Sequence, residues 1–182
     1  MKVEPTKLPG VLLITPRVFA DDRGWFLETW RRERYIEHGI GPDFVQANAS
    51  HSSQGVLRGL HYQWPEPQGK LVWVSAGRVA DIAVDIRPSS PTFKQWTRVD
   101  LDADHHQQLW IPEGFAHGFQ VLSERATFNY LCTRPYRADA DAAIAWNDPD
   151  IGIDWPLPPA GLSDKDRRAP RLADLDRDRL PS

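Results

Sequence analysis

From Leu71 to Thr133 the chain is cut into short runs, and that cutting decides its fold class. Leu71-Val72-Trp73-Val74, Val79 to Ile86, Gln95 to Leu101, Gln108 to Ile111, Gly118 to Leu122 and Ala126 to Thr133 are separated by Gly77, Pro88, Pro91, Asp102, Asp104 and Ser123. Runs of this length form strands, and several at such spacing make a sandwich or jelly-roll barrel rather than a doubly wound sheet. With 16 prolines, 12 glycines and 8 tryptophans, the composition also opposes long helices. Helical pattern is confined to Arg31 to His38, stopped by Gly39 and Gly41-Pro42, and to a brief segment opened by Ser163 with Asp166 three residues on. An all-β jelly-roll barrel with short peripheral helices is expected. The 182 residues fit one domain, 1–182.

Val11 to Ile14, Pro16 and Val18-Phe19 read as a first strand, whose proline confines it to a sheet edge or to exchange with a second subunit. The last residues, to Ser182, are expected to be solvated and frayed. A net charge of −3, with no basic run longer than Arg31-Arg32, gives no electrostatic reason to expect nucleic acid as a partner. A small anion held by local cations remains open. The single cysteine, Cys132, excludes an intrachain disulfide, fits a reducing cytoplasm and reads as a small core residue. The apolar run near the N-terminus spans only the four residues Val11 to Ile14, too short for a signal peptide or a membrane span, so a cytoplasmic location is expected.

Chemistry concentrates in Gly55-Val56-Leu57-Arg58-Gly59-Leu60-His61-Tyr62-Gln63 and the following Gly69-Lys70. On an unbroken strand Arg58 and His61, three apart, point to opposite faces, so a distortion near Gly59 is expected to bring both inward. His61 beside a carboxylate, either Asp81 or Asp166, can take a proton from carbon next to a carbonyl. The resulting enolate needs a fixed positive charge, which Lys70 can supply, and a proton from the other face, which Tyr130 can return. From local pattern alone Tyr130 is as readily a barrel aromatic. Gln46, Asn48 and Ser50 alternate onto one face, where buried amides need partners or a ligand. Arg23 and Glu28 flank an acidic turn and read locally as surface residues.

Pro112-Glu113-Gly114-Phe115-Ala116-His117 resembles the second half-motif of the cupin superfamily of small jelly-roll barrels. Where metal-binding cupins carry His-x-His, this chain has His61-Tyr62-Gln63, and His61 with His117 alone do not make a stable metal site. A metal-dependent cupin and a non-catalytic ligand-binding module are the competing classes.

Gly55 to Gln63, Gln68-Gly69-Lys70-Leu71-Val72, Gln108 to Phe119 and Leu162-Ser163-Asp164-Lys165-Asp166, in this order, resemble the dTDP-4-dehydrorhamnose 3,5-epimerase family over roughly Leu8 to Arg171. The resemblance implies a cupin-like homodimer with exchanged N-terminal strands, acting without metal or cofactor on a dTDP-4-keto-6-deoxy sugar. It implies His61 as base paired with Asp166, Lys70 as enolate stabiliser and Tyr130 as proton donor. By the same resemblance Arg23, Glu28, Gln46, Asn48, Arg58, Lys70, His117, Asp141 and Lys165 hold the nucleotide sugar, with their cations on its diphosphate. Relatives that epimerise C5 or C3 alone carry nearly the same set. Three departures stand out. Ala47 and Ala49 replace an acid and a histidine expected near the ligand, Asp141 stands for a glutamate, and Arg134-Pro135 replace an Asn-Tyr or Asp-Tyr pair.

Overall fold

Strands buried on one or both faces stack here into two antiparallel sheets. The computed structural model describes residues 1–41 and 43–181. Its elements are β1 (Lys2–Pro5), β2 (Leu12–Thr15), β3 (Val18–Asp21), β4 (Gly24–Leu27), α1 (Arg32–Ile36), β5 (Gln46–Ser53), β6 (Leu57–Gln63), β7 (Lys70–Ala76), β8 (Arg78–Asp85), β9 (Trp96–Asp102), β10 (Gln108–Ile111), β11 (Phe115–Val121), β12 (Arg125–Cys132), β13 (Asp141–Ala143) and α2 (Asp164–Arg168). One sheet runs β1-β2-β10-β7-β12-β5, the other β13-β6-β11-β8-β9, and β3 and β4 form a separate hairpin. This is the expected mainly-β, cupin-like architecture. Pro42, half of the expected helix stop, and Ser182 lie outside the described residues.

Side-chain alternation sends Val72, Val74, Leu109 and Phe128 from the first sheet against Val79, Ala83, Phe115, Phe119 and Val121 from the second. The outer face of β6, β8 and β11 is apolar too, with Leu60, Tyr62, Ile82, Val84 and Ala116 packing on Ile144, Ile151, Leu172 and Leu180. From Val79 to Asp85 β8 is buried on both faces, and it is apolar there except at Asp81 and Asp85. The frayed tail is therefore a misreading. Leu172 and Leu180 are 3% and 6% exposed, and the backbone carbonyls of Asp178 and Arg179 accept hydrogen bonds from Trp64 Nε1 and the Tyr62 hydroxyl. Burying each leucine contributes about 1.5–3 kcal/mol.

The edge expected for the first strand is also corrected. β2 lies inside its sheet between β1 and β10, and Pro16 falls just past its last residue, outside the ladder. The edge belongs to β1, whose run of four residues carries little strand signal.

The distortion in β6 is present. Arg58 pairs with Phe119 and His61 with His117, so three peptide steps on β6 face two on β11. Gly59 sits at φ +140, and a Cβ there would lie 2.5 Å from the Gly118 Cα, so the close approach requires glycine at this position. The Gly59-Leu60 peptide is cis.

Candidate active site

The bulge turns Arg58 and His61 into the same space between the sheets. Two adjacent lobes, of about 210 Å³ and 200 Å³, share His61, Lys70 and Tyr130 as common walls. Gln46, Asn48, Cys132, Tyr136, Asp141 and Lys165 also line the first, together with Tyr62, Gln63 and Gln68. Ser50, Arg58, His117, Phe119 and Phe128 complete the second.

His61 comes from β6, and its carboxylate partner comes from α2. Ser163 caps that helix by accepting from the Asp166 backbone N–H at 3.1 Å, which fixes Asp166 at its first turn. The Asp166 carboxylate is 2.6 Å from His61 Nε2. Burial pushes Asp166 up, but hydrogen bonds from His61 and Ser163 outweigh it and hold the group below the usual carboxylate range. An ionised carboxylate only accepts, so Nε2 carries the hydrogen and Nδ1 is left free as a base. Asp81 is not this partner. It accepts from His117 Nε2 at 2.9 Å instead.

Lys70 opens β7 across from β12, where Tyr130 projects inward. Burial lowers the Lys70 ammonium below the ordinary lysine value, an effect that the nearby Cys132 and Asp141 oppose. Burial raises the Tyr130 hydroxyl, so it holds its proton more firmly than a solvated tyrosine. Arg58 donates to Ser52 Oγ at 3.1 and 3.2 Å, and Lys165 donates to Asp141 at 2.5 Å.

Within one chain the site gathers His61, Lys70, Tyr130, Asp166, Gln46, Asn48, Arg58, His117, Asp141 and Lys165 around the two lobes or against their walls. It does not gather Arg23 and Glu28. Arg23 lies on the β3–β4 turn and pairs with Asp21 at 2.5 Å, while Glu28 pairs with Arg34 at 3.0 Å. The departure at Ala47 and Ala49 does not reach the cavity. Alternation along β5 exposes both on the outer face, while Gln46, Asn48 and Ser50 face inward.

Sequence reasoning missed Cys132, which lines the first lobe and accepts from Asn48 Nδ2 at 3.8 Å. Its parity with Phe128 and Tyr130 on β12 was the available signal. It also missed a set of loop clamps. Gln63 donates to the carbonyls of Glu66 and Pro135 and accepts from the Arg137 N–H; Gln46 accepts from the Tyr136 N–H; Gln68 donates to the Arg134 carbonyl. These contacts use backbone groups, so the Arg134-Pro135 departure leaves them intact.

A base held by a buried carboxylate, a desolvated ammonium and a phenol around one cavity suit proton removal and return at carbon beside a carbonyl. The family described as dTDP-4-dehydrorhamnose 3,5-epimerase matches residues 5–174. The dTDP-4-dehydrorhamnose 3,5-epimerase of Pseudomonas aeruginosa is 50% identical over 178 residues, covering 97% of this chain and 98% of that protein. A dTDP-6-deoxy-D-glucose-3,5-epimerase of Legionella pneumophila, solved in complex with dTDP-4-keto-L-rhamnose, superposes with a TM-score of 0.96 at 48% identity, covering 99% of this chain and 97% of that one. A 3'-monoepimerase of Streptomyces bikiniensis, solved with dTDP-quinovose, is 34% identical with a TM-score of 0.87, covering 93% and 87%. A family match over nearly the whole length, on a barrel whose cavity carries this set of groups, leads to one conclusion: the chain belongs to the dTDP-4-dehydrorhamnose 3,5-epimerase family.

Proposed function

We propose that the chain is an isomerase that inverts C3 and C5 of dTDP-4-dehydro-6-deoxy-D-glucose to give dTDP-4-dehydro-L-rhamnose, in dTDP-L-rhamnose biosynthesis, without metal or cofactor. The observation that carries this reading is the His61–Asp166 couple sharing one cavity with Lys70 and Tyr130. His61 Nδ1 takes the proton from carbon next to the 4-keto group, and the C–H electrons move onto the C4 oxygen. The Lys70 ammonium stabilises that enolate in a site too dry for water to do so. Tyr130 then gives its proton to the opposite face, the C4 carbonyl re-forms, and the configuration is inverted. Exchange with solvent returns a proton to Tyr130 and takes one from His61, and a second cycle at the other carbon completes the reaction.

Arg58 and Lys165 carry charge for the diphosphate, and Gln46, Asn48, His117 and Asp141 orient the rest of the nucleotide sugar. Arg23 and Glu28 join them from a second copy, in a homodimer with exchanged N-terminal strands. What supports this is the hairpin that bears them, where Phe19, Trp25 and Phe26 are 50%, 61% and 69% exposed, more apolar surface than a lone hairpin keeps in water. The chain acts as one domain, 1–182, in the cytoplasm, whose reducing conditions suit the buried free Cys132.

A second reading, epimerisation at one carbon alone, is favoured by the likeness to a 3'-monoepimerase on the same fold. Proton NMR of dTDP-4-dehydro-6-deoxy-D-glucose in deuterium oxide separates the two. Loss of both the C3 and C5 signals is expected, followed by L-rhamnose product when a reductase and NADPH are added. Loss of one signal would move the chain to the single-site epimerases, and loss of neither would leave a binding module.

A further inference from the structure

On the inner face of β8 the residues alternate Val79, Asp81, Ala83, so a carboxylate stands in the apolar floor of the barrel. Asp81 is fully buried. Its Oδ2 accepts from His117 Nε2 at 2.9 Å, and its Oδ1 has no hydrogen-bond partner, the one such buried side-chain atom among the described residues. A buried carboxylate with one empty oxygen is costly, and such groups persist mainly where a site uses them.

We propose that Asp81 is a positioning residue, which fixes the His117 imidazole with Nε2–H bound and Nδ1 left to the substrate. Three restraints act on that ring. β11 carries it directly across from His61, the Phe128 ring stacks on it at 5.9 Å between centroids, and Asp81 holds its far nitrogen. Only the last decides which nitrogen is protonated, because stacking and backbone are indifferent to a ring flip. The outcome parallels the neighbouring strand, where Asp166 takes Nε2 of His61. Two imidazoles side by side thus offer Nδ1 to one cavity, each fixed by a carboxylate from a different element.

The proposal rests on the epimerase reading only for its kinetic arm. Long-range proton–nitrogen NMR of the wild-type protein is expected to find His117 in its Nε2–H form. Asp81→Asn, which can donate where the carboxylate accepts, is expected to mix the two ring forms and to lower kcat/KM about 10- to 100-fold. Placed on His117→Ala it should lower kcat/KM no further. Three results would each overturn the assignment: a wild-type His117 in the Nδ1–H form, an Asp81→Asn enzyme within about twofold of wild type, or an equal loss on the His117→Ala background. Should Asp81→Asn fail to fold, the wild-type ring form still decides. Should the wild-type enzyme leave C3 and C5 protons unexchanged, the epimerase reading fails while the ring-form test stands.

Discussion

Asp166 reaches His61 from 105 residues away, and in the proposed reaction the pair sets how the proton leaves carbon. Asp166→Asn can place a donor against Nε2, so turnover is expected to fall about 10²- to 10⁴-fold in a coupled reductase assay. A loss under about tenfold would remove Asp166 from the mechanism. Tyr130→Phe keeps the base and removes the return proton. It should still wash deuterium into the starting sugar while forming almost no product, and product at wild-type rate would dismiss Tyr130. Lys70 must be charged to hold the enolate, and burial makes its proton easier to lose. The alkaline limb of kcat is therefore expected below the ordinary lysine value of 10.5, with activity falling as pH rises through it. At this scale His61 and Lys70 were legible because neighbouring glycines single them out, whereas local pattern left Tyr130 as readily a barrel aromatic and only the family resemblance gave it a role. The choice between Asp81 and Asp166 was not, because sequence separation carries no information about which carboxylate the barrel brings to which imidazole.

The β6 bulge converts a parity conflict into a site. Gly59→Ala would add a methyl group at φ +140 against the Gly118 backbone, so a loss of at least about 2 kcal/mol in a denaturant titration is expected. Stability equal to wild type would mean that β6 and β11 do not meet as described. The need for such a kink was readable from the odd offset between Arg58 and His61, since alternation is a local rule. The strap made by residues 172–181 was not, because Leu172 and Leu180 lie in charged, proline-flanked surroundings with no period. Their burial depends on an apolar outer face of β6 and β8 that only tertiary structure creates. β13 escaped notice for a related reason, its three residues pairing only because β6 offers an open side.

For the molecule as a whole, Asp85 and Asp166 link stability to acid. Burial raises both, and hydrogen bonds to Arg87, Ser90 and Thr92 in one case and to His61 and Ser163 in the other bring them below the ordinary value. A lowered carboxylate stabilises the fold above its unfolded pKa, about 3.9, and that contribution disappears as pH falls through the folded value. Melting temperature is thus expected to hold down to about pH 4 and to drop below it, less steeply in Asp85→Asn. Phe26→Asp is expected to shift the protein from dimer to monomer in light scattering and to lower turnover with it. A wild-type protein that is monomeric and fully active would remove the second copy from the site. In the proposed dimer Arg23 and Glu28 reach the site, yet their local surroundings describe a surface turn, and so does the single chain.

Gln63 has a bearing on what this barrel can become. It stands where metal-binding cupins carry a ligating histidine, and its amide gives two hydrogen bonds and takes one from three separate backbone groups. An imidazole has two ring nitrogens and cannot serve all three. Restoring a histidine there would strand part of the 134–137 loop, which also roofs the cavity through Tyr136. The route to a cupin-type metal site is thus not one codon long but a loop long, and an engineer who wants a metal in this barrel should redesign the roof first.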